Sequence, residues 1–271
     1  MAKQTESIVD ARVPNAGRIY DYMLGGHHNF EVDRQAAEQL IKIVPFLPKA
    51  MRLQRWCLQD LAEELTVRRG FDTVIDFASG LPTQDHIHTV APKGTTVIYC
   101  DYDPLVVEYG REILGNTPDV YFFEADARQP EELLKRPEVQ EILGDKRDVA
   151  LVYWGVALFL ADDELAHVAR VLYEWTGEKS CWAFNAQGAN VNVDSQDPEA
   201  ARGLDIYKKT GAPVHIRSLE RYKELVQPWK PDERGFVSLL DWHGLDESEM
   251  SEEDRQIYGT SGGGYGAYLV K

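Results

Sequence analysis

Apolar residues recur at helical intervals through residues 1–70 of the chain. After the string NFEVD they follow the i, i+3, i+4, i+7 spacing of one helix face, with Asp33 placed to cap the helix. A second stretch begins at about Ala50 and ends at Gly70, a residue that commonly follows a helix. The pattern predicts two amphipathic helices. Their apolar faces comprise Ala37, Leu40, Ile41 and Val44 in the first and Leu53, Cys57, Leu61 and Leu65 in the second.

From residue 71 onward, short apolar runs alternate with helical segments. Strands that are apolar on both faces and separated by helices indicate a parallel sheet covered on both sides. With right-handed crossovers we predict an α/β fold with a doubly wound, mostly parallel seven-stranded sheet, an antiparallel last strand and a helical N-terminal extension. The predicted strands lie in FDTVIDFA, TTVIYC, VYFFEAD, DVALVYWGVALFL, KSCWAFNAQ, GFVSLLDW and YGAYLVK.

Two regions follow from this pattern. Residues 1–70 form the helical extension, which we interpret as a lid, and residues 71–271 form the sheet domain, the two making a single structural unit. The stretch from Gly188 to Pro213 interrupts the alternation and is expected to be an inserted segment that helps to shape a substrate pocket.

Composition and charge narrow the classes of partner. The formal net charge of −16 argues against a nucleic-acid substrate, because backbone binding needs clustered Lys and Arg. The first residues contain no apolar core of a signal peptide and no apolar run reaches membrane-spanning length, so we expect a cytoplasmic protein without a membrane partner. The three cysteines lie far apart, which predicts buried thiols and no metal site.

Three acids stand at predicted strand ends, 25 residues apart: Asp76, Asp101 and Asp126. Ligands of open α/β sheets bind beyond the carboxyl ends of the strands, so these carboxylates should line one crevice beside Gly80. Such a set suits ribose hydroxyls, an adenine amine and an ammonium group, and it disfavours a pyrophosphate. We predict an adenosyl amino acid as ligand. A solvated turn is the alternative for Asp126, and Asp103 is interpreted as a helix cap.

Several strings extend this interpretation across nearly the whole chain. They are RIYDYMLGGHHNFEVDR (Arg18 to Arg34), DFASGLPT (Asp76 to Thr83), YCDYDP (Tyr99 to Pro104), EADAR (Glu124 to Arg128), ALFLADDE (Ala157 to Glu164) and YKKTGAPVHIRS (Tyr207 to Ser218). With them the chain resembles the bacterial S-adenosyl-L-methionine-dependent methyltransferases of a family first catalogued as a domain of unknown function. The resemblance implies a class I, Rossmann-like fold, S-adenosyl-L-methionine as cofactor and S-adenosyl-L-homocysteine as product.

The resemblance also implies the residues that hold the donor. Asp101, followed by Tyr102, would take the ribose hydroxyls, and Asp126 with Ala127 the adenine edge. The methionine part would lie over Ser79 and Gly80. Ala78 stands where the family commonly has glycine, and its methyl group is expected to tighten the space there.

Two aromatic residues at the end of the fourth predicted strand complete this set. Tyr153 and Trp154 would face the sulfonium and the substrate, where aromatic faces add ~0.5–2 kcal/mol of cation–π attraction. A position in the core is the alternative for Trp154.

The string YDYMLGGHHNF suggests a lid over the cofactor. Gly25 and Gly26 would end a helix and let the backbone pass close to the ligand, while flanking side chains close over it. The alternative is an ordinary turn between two helices. Adjacent histidines without a third ligand make a poor metal site, so no metal is expected. The proposed closing side chains are Tyr20, Tyr22, His27 and Asn29.

A catalytic base is harder to assign from sequence. His27, His215 and Tyr22 are candidates, with His28 as a further one, and a structural role is the alternative for His215. Arg52 and Arg55 of the second helix are interpreted as exposed and solvated, with contact to a carboxylate as the alternative.

The sequence thus predicts a methyltransferase that acts on a small-molecule acceptor. A non-enzymatic S-adenosylmethionine-binding sensor or scaffold and an NAD(P)-dependent oxidoreductase are the alternatives. The oligomeric state is left open.

Overall fold

The computed structural model describes residues 12–83, 85–189, 198–246, 251–252, 261 and 263–271. Residues 1–11 of the predicted extension and residues 190–197 of the predicted insertion lie outside these ranges. The strands are β1 (Thr73–Phe77), β2 (Thr96–Asp101), β3 (Val120–Glu124), β4 (Ala150–Tyr153), β5 (Cys181–Gln187), β6 (Lys230–Pro231), β7 (Val237–Ser238) and β8 (Gly264–Val270).

Helices connect these strands and precede β1. They are α1 (Ala16–Met23), α2 (Glu31–Ile43), α3 (Leu47–Glu63), α4 (Ile87–Val90), α5 (Pro104–Leu114), α6 (Pro130–Leu134), α7 (Pro137–Leu143), α8 (Asp162–Trp175), α9 (Pro198–Lys209), α10 (Leu219–Leu225) and α11 (Leu239–His243). A π-helical turn (Glu64–Arg68) extends α3, and a 3-10 turn (Ala157–Phe159) follows β4. No helix within the described ranges is long and apolar enough to cross a membrane.

The strands form one sheet in the order β3-β2-β1-β4-β5-β8-β6, with β7 paired to β8. Strands β1 to β5 pair in parallel, whereas β8 runs antiparallel to β5. The order reverses between β1 and β4, and such a switch point opens a crevice at the carboxyl ends of the strands. The predicted doubly wound, mostly parallel sheet with an antiparallel last strand is confirmed.

The C-terminal part differs from the prediction. Within the described residues the sheet has eight strands, not seven, because β6 and β7 are separate two-residue strands. Most of GFVSLLDW, predicted as a strand, is the helix α11. The Ser238 hydroxyl accepts a hydrogen bond from the Asp241 amide and so caps this helix. An apolar run fits a strand and a short buried helix equally well, and here the cap favours the helix.

Two helical layers cover the sheet. One face packs against α6, α7, α8 and α10 around Tyr153, Trp182 and Phe184. The other face packs against α3, α4, α5 and α11, and the buried side of α3 from Leu53 to Leu65 belongs to that core. A third, smaller cluster joins α1, α2 and α9.

A buried ion network fastens this third cluster to the sheet. The Arg18 Nε lies 2.9 Å from Asp33 Oδ2, and its Nη1 lies 2.9 Å from Asp103 Oδ2. Asp103 also caps α5, as predicted, because its carboxylate accepts a hydrogen bond from the Leu105 amide. Arg18 therefore connects α1 with α2 and with the loop that follows β2.

Candidate active site

A cavity of about 570 Å³ opens at the carboxyl ends of β1 to β4, beneath the α1–α3 and α9 helices. Its volume falls within the ~300–1,000 Å³ typical of sites for small molecules. Residues that follow the four strands form its polar wall. They are Ala78, Ser79 and Gly80 after β1, Asp101 and Tyr102 at the end of β2, Asp126, Ala127 and Arg128 after β3, and Trp154 after β4.

The turn after β1 has an uncommon backbone. Ala78 has φ +53° and Gly80 has φ +64°, in the left-handed region. This conformation costs an L-residue such as alanine roughly 1–2 kcal/mol, so glycine would be less strained than Ala78 at this position. The Ser79 amide donates to the Cys100 carbonyl at 2.9 Å. The turn is thereby held against the end of β2.

Asp101 connects this turn to the next loop. Its Oδ2 accepts a hydrogen bond from the Gly80 amide at 3.2 Å, and its Oδ1 accepts one from the Asp103 amide at 3.0 Å. Burial raises the pKa of Asp101 to about 6, although these backbone donors oppose the shift. A carboxylate has about four acceptor sites, so each oxygen retains capacity for a ligand hydroxyl.

Asp126 also lines the cavity but is already engaged. Its two oxygens accept hydrogen bonds from the Arg128 side chain at 2.5–2.9 Å, and Oδ1 also accepts from the Arg128 amide. Burial raises the pKa of Asp126, but these contacts outweigh it and the net shift is downward. A ligand amine would have to compete with Arg128 for this carboxylate.

The two aromatic residues after β4 have different surroundings. Trp154 lines the cavity, and its Nε1 donates to the Gln54 carbonyl at 2.9 Å. Tyr153, predicted to face the sulfonium, is instead fully buried among the side chains of the opposite face. Its hydroxyl donates to the Ala127 carbonyl at 2.7 Å, so it supports the Asp126 loop from behind.

Two charged residues lie behind the β1 turn. Asp76 is buried near the end of β1, two residues before Ala78 of the cavity wall, and is not itself among the described lining residues. Its Oδ2 has no hydrogen-bond partner among the described residues. Burial raises its pKa well above the usual range, with Arg55 opposing the shift. Arg55 lines the cavity and is also buried, contrary to the expectation of an exposed side chain. Arg52 is exposed as expected.

The glycine-rich string is organised as a compact loop. Asp21 Oδ2 accepts hydrogen bonds from the His28 amide at 2.9 Å and from Asn29 Nδ2 at 2.8 Å. A Cβ on Gly26 would come within 2.0 Å of Asp21 Oδ1, so glycine is needed there for close approach. This arrangement matches the alternative of a turn between two helices.

Most of the predicted lid residues lie away from the cavity. Of this string, Tyr20 lines it together with Met23, whereas Tyr22, Gly25, Gly26, His27 and Asn29 are absent from the described lining. The N-terminal turn of α1 contributes instead, through Asn15, Ala16 and Gly17. The sequence offered no signal for these three beyond the helix cap at Asn15.

The predicted catalytic residues are likewise not part of the described wall. His27 is exposed, and the Tyr22 hydroxyl is 3.3 Å from Glu38 Oε1. The His215 amide donates to the Leu158 carbonyl, while its neighbour Val214 reaches the cavity. No histidine belongs to the part of the wall that the structure describes.

The remainder of the wall is apolar. It is formed by α1, α2, α3 and α9 and by the segment that follows β4. Burial raises the pKa of Tyr207, on α9, to about 12. The apolar lining comprises Ile19, Met23, Leu40, Ile43, Val44, Leu47, Met51, Leu58, Val156, Leu158, Phe159, Leu160, Leu204, Ala212 and Val214.

Comparison of the sequence with known protein families identifies the family to which the chain belongs. A sequence profile of the S-adenosyl methyltransferase family matches residues 2–265. The chain belongs to this family. S-adenosyl-L-methionine is therefore the methyl donor of this methyltransferase, and the predicted family and enzyme class are confirmed.

Two solved structures resemble the methyltransferase over almost its whole length. A protein from Thermobifida fusca YX, provisionally named a methyltransferase, is 26% identical with a TM-score of 0.82, and the match covers 100% of this chain and 99% of that one. A DUF574 family protein from Streptomyces avermitilis MA-4680 is 25% identical with a TM-score of 0.79, covering 97% and 99%. A comparison with curated proteins gives no match.

The crevice suits this donor chemically. Asp101 offers free acceptor capacity for ribose hydroxyls, and Gly80 leaves open space above the β1 turn. Asp76 supplies a buried oxygen without a partner, in the part of the chain described, near the same turn. These features fit an uncharged ribose and a cationic amino group.

Proposed function

We propose that the methyltransferase acts on a small organic acceptor with a largely apolar body. The observation that carries this proposal is a single cavity that joins the polar strand ends to the apolar wall of α1–α3 and α9. The concave shape and apolar lining favour a small molecule over a protein or nucleic acid. The net charge of −16 also disfavours nucleic acid.

The donor would bind at the polar end of the cavity. Asp101 would accept the ribose hydroxyls, and Ser79 and Gly80 would lie under the methionine part. Ala127 and Asp126 would face the adenine, provided that Arg128 yields part of its contact with Asp126. These assignments are supported by the position of each residue in the cavity wall.

The chain's own contribution to the reaction would be binding, alignment and exclusion of water. When bound, S-adenosyl-L-methionine supplies a methyl group on a cationic sulfur. Trp154 would present its ring to that cation, and the apolar helices would direct the acceptor toward it.

Apart from Asp101 and Asp126, which we assign to the donor, the described part of the wall offers little for removing a proton from the acceptor. Burial raises the pKa of Tyr20 and of Tyr207, so both stay protonated at neutral pH. We infer an acceptor atom whose lone pair is available without a histidine base, such as an amine or a thiolate. His27, His215 and Tyr22 stay predictions that their placement does not favour.

Binding of S-adenosyl-L-homocysteine tests the donor site. Isothermal titration calorimetry should show binding, and Asp101→Ala should weaken it about 100-fold, because charge-assisted hydrogen bonds contribute ~1.5–3 kcal/mol each. Asp145→Ala, an exposed acid after α7, is the control and should leave the affinity unchanged. Equal affinities of the two variants would contradict the assignment of Asp101.

A second experiment tests the acceptor class. Methyl-labelled donor is incubated with pools of small amines and thiols and, separately, with protein and RNA extracts. Label should enter the small-molecule pools, and Leu204→Trp, which adds bulk to the apolar wall, should reduce that transfer without changing S-adenosyl-L-homocysteine affinity. Transfer to protein or RNA alone would refute a small acceptor. The family assignment favours neither the sensor nor the oxidoreductase, so we propose neither.

A further inference from the structure

Arg55 is a buried cation on the cavity side of α3. Its side chain lines the cavity although the residue is only 6% exposed. The guanidinium carbon lies 5.4 Å from the centre of the Tyr20 ring, a cation–π contact on one side of the group. The Nε and Nη1 atoms have no hydrogen-bond partner in the described part of the protein. Arg55 therefore carries unused donors beside the cavity.

The charge of Arg55 also lacks a close counter-ion. Among the described residues, no carboxylate oxygen forms an ion pair with it within 4.0 Å. The imidazole of His86 adds no second positive charge, because burial and then Arg55 lower its pKa. Burying an unpaired guanidinium is strongly unfavourable, so an anionic ligand group would remove a large penalty.

A buried carboxyl group near this cation also lacks a hydrogen-bond partner, among the described residues, for one of its oxygens. Asp76 Oδ2 has no hydrogen-bond partner within the described ranges. Arg55 is near enough for its positive charge to lower the pKa of Asp76, against the larger effect of burial. An acid and a base that do not pair with each other suit a ligand that carries both charges. The α-amino acid end of the donor is such a group, with an ammonium and a carboxylate on one carbon.

We propose that Arg55 binds the carboxylate of the donor's amino acid part, while Asp76 faces its ammonium. This assignment rests on the proposed donor site and adds the residue that recognises the carboxylate. Arg is suited to the role, because its planar fork can donate two parallel hydrogen bonds to one carboxylate.

The position of the pair favours the donor over a carboxylate on the acceptor. His86 links the pair to the β1 turn, since its Nε2 is 3.2 Å from the Ser79 carbonyl and 3.8 Å from Asp76 Oδ2. Ser79 belongs to the turn under the proposed methionine part. The apolar part of the wall is formed by other residues, several of them on α2 and α9, which pack together.

Two ligands that differ only in the carboxylate test the assignment in the unmodified protein. They are S-adenosyl-L-homocysteine and its decarboxylated form, S-adenosyl-3-thiopropylamine, each titrated by calorimetry. The wild-type protein should bind the decarboxylated ligand about 100-fold more weakly, because Arg55 is then left buried and unpaired. Equal affinities would overturn the proposal.

Substitutions on α3 then test whether Arg55 causes the difference in affinity between the two ligands. Arg55→Met should weaken binding of S-adenosyl-L-homocysteine about 100-fold and change that of the decarboxylated ligand less than about threefold. Arg55→Lys keeps the charge without the fork and should lose about tenfold. Arg52→Met removes an exposed arginine from the same helix and should change neither affinity.

Circular dichroism and thermal melting establish that each variant is folded. If Arg55→Met does not fold, the wild-type ligand pair and Arg55→Lys still decide the question. If a folded Arg55→Met protein lost affinity for both ligands equally, the proposal for Arg55 would be overturned, but the proposed donor site would not be contradicted. Failure of the wild-type protein to bind S-adenosyl-L-homocysteine would refute the proposed donor site, and this assignment with it.

Discussion

At the scale of single residues, Asp101 makes donor binding sensitive to pH. Burial raises its pKa to about 6, so lowering the pH below that value protonates the carboxylate that would accept the ribose hydroxyls. If only the ionised form binds well, the Kd of S-adenosyl-L-homocysteine should be constant above pH 7 and about tenfold higher at pH 5. Calorimetry across this range measures the change.

Asp101→Asn separates this titration from that of its neighbours. The variant keeps the shape of the side chain but cannot ionise, so its affinity should be weaker at pH 7.5 and nearly flat down to pH 5. Asp76 is also buried with a raised pKa, and Asp103 contacts Asp101 through its amide. The same pH dependence in wild type and Asp101→Asn would assign the effect to one of these other groups.

The sequence located the acids more readily than the arginines. Asp101 ends a run of buried strand residues. The carboxyl ends of parallel strands form the ligand crevice, so its position could be predicted without knowledge of the tertiary packing. Arg55 and Arg52 lie one helical turn apart on α3, and only tertiary packing makes one buried and the other exposed. Tyr153 and Trp154 are adjacent strand-end residues, and the alternation of a strand sends them to opposite faces.

At the scale of the elements, Arg18 should hold α1 to α2 and to the N-terminus of α5. It is 2% exposed and pairs with Asp33 on α2 and with Asp103 at the start of α5. Arg18→Met would leave two buried carboxylates without their partner, and we expect a loss of ~3–5 kcal/mol in the free energy of unfolding. Urea denaturation followed by circular dichroism measures it.

Arg68→Met provides the matched control. Arg68 pairs with Glu63 and Glu64 at the surface, where such contacts contribute ~0–1 kcal/mol. Similar losses in the two variants would show that the buried network adds no more than an exposed pair does.

The spacing of apolar residues predicted the parallel strands, but it did not predict the extent of the short helix α4. The five parallel strands were predicted because their apolar runs are bounded by turns. The predicted helix over LPTQDHIHTVA is only Ile87–Val90 within the described residues, where the His86 side chain accepts a hydrogen bond from the Ile87 amide. Such local hydrogen bonds cannot be inferred from apolar spacing.

At the scale of the whole molecule, the helical extension and the sheet share one core. Leu61 of α3 is fully buried in the cluster that also contains Val74 of β1 and Val97 of β2. We therefore propose that residues 1–70 and 71–271 unfold as one cooperative unit, as the sequence suggests. Leu61→Ala should cost ~2–5 kcal/mol.

Native-state hydrogen exchange on the full chain tests this proposal. Leu61→Ala should lower the opening free energies of slowly exchanging amides in α3 and in β1 and β2 by the same amount. The reason is that α3 and the sheet share one core and must unfold together. The cavity lies between these layers, so saturating S-adenosyl-L-homocysteine should raise both sets together, by ~2.7 kcal/mol at 100 times its Kd. A loss of protection confined to α3 would mean that the extension opens independently of the sheet, and the donor cavity would then be gated by the whole helical layer.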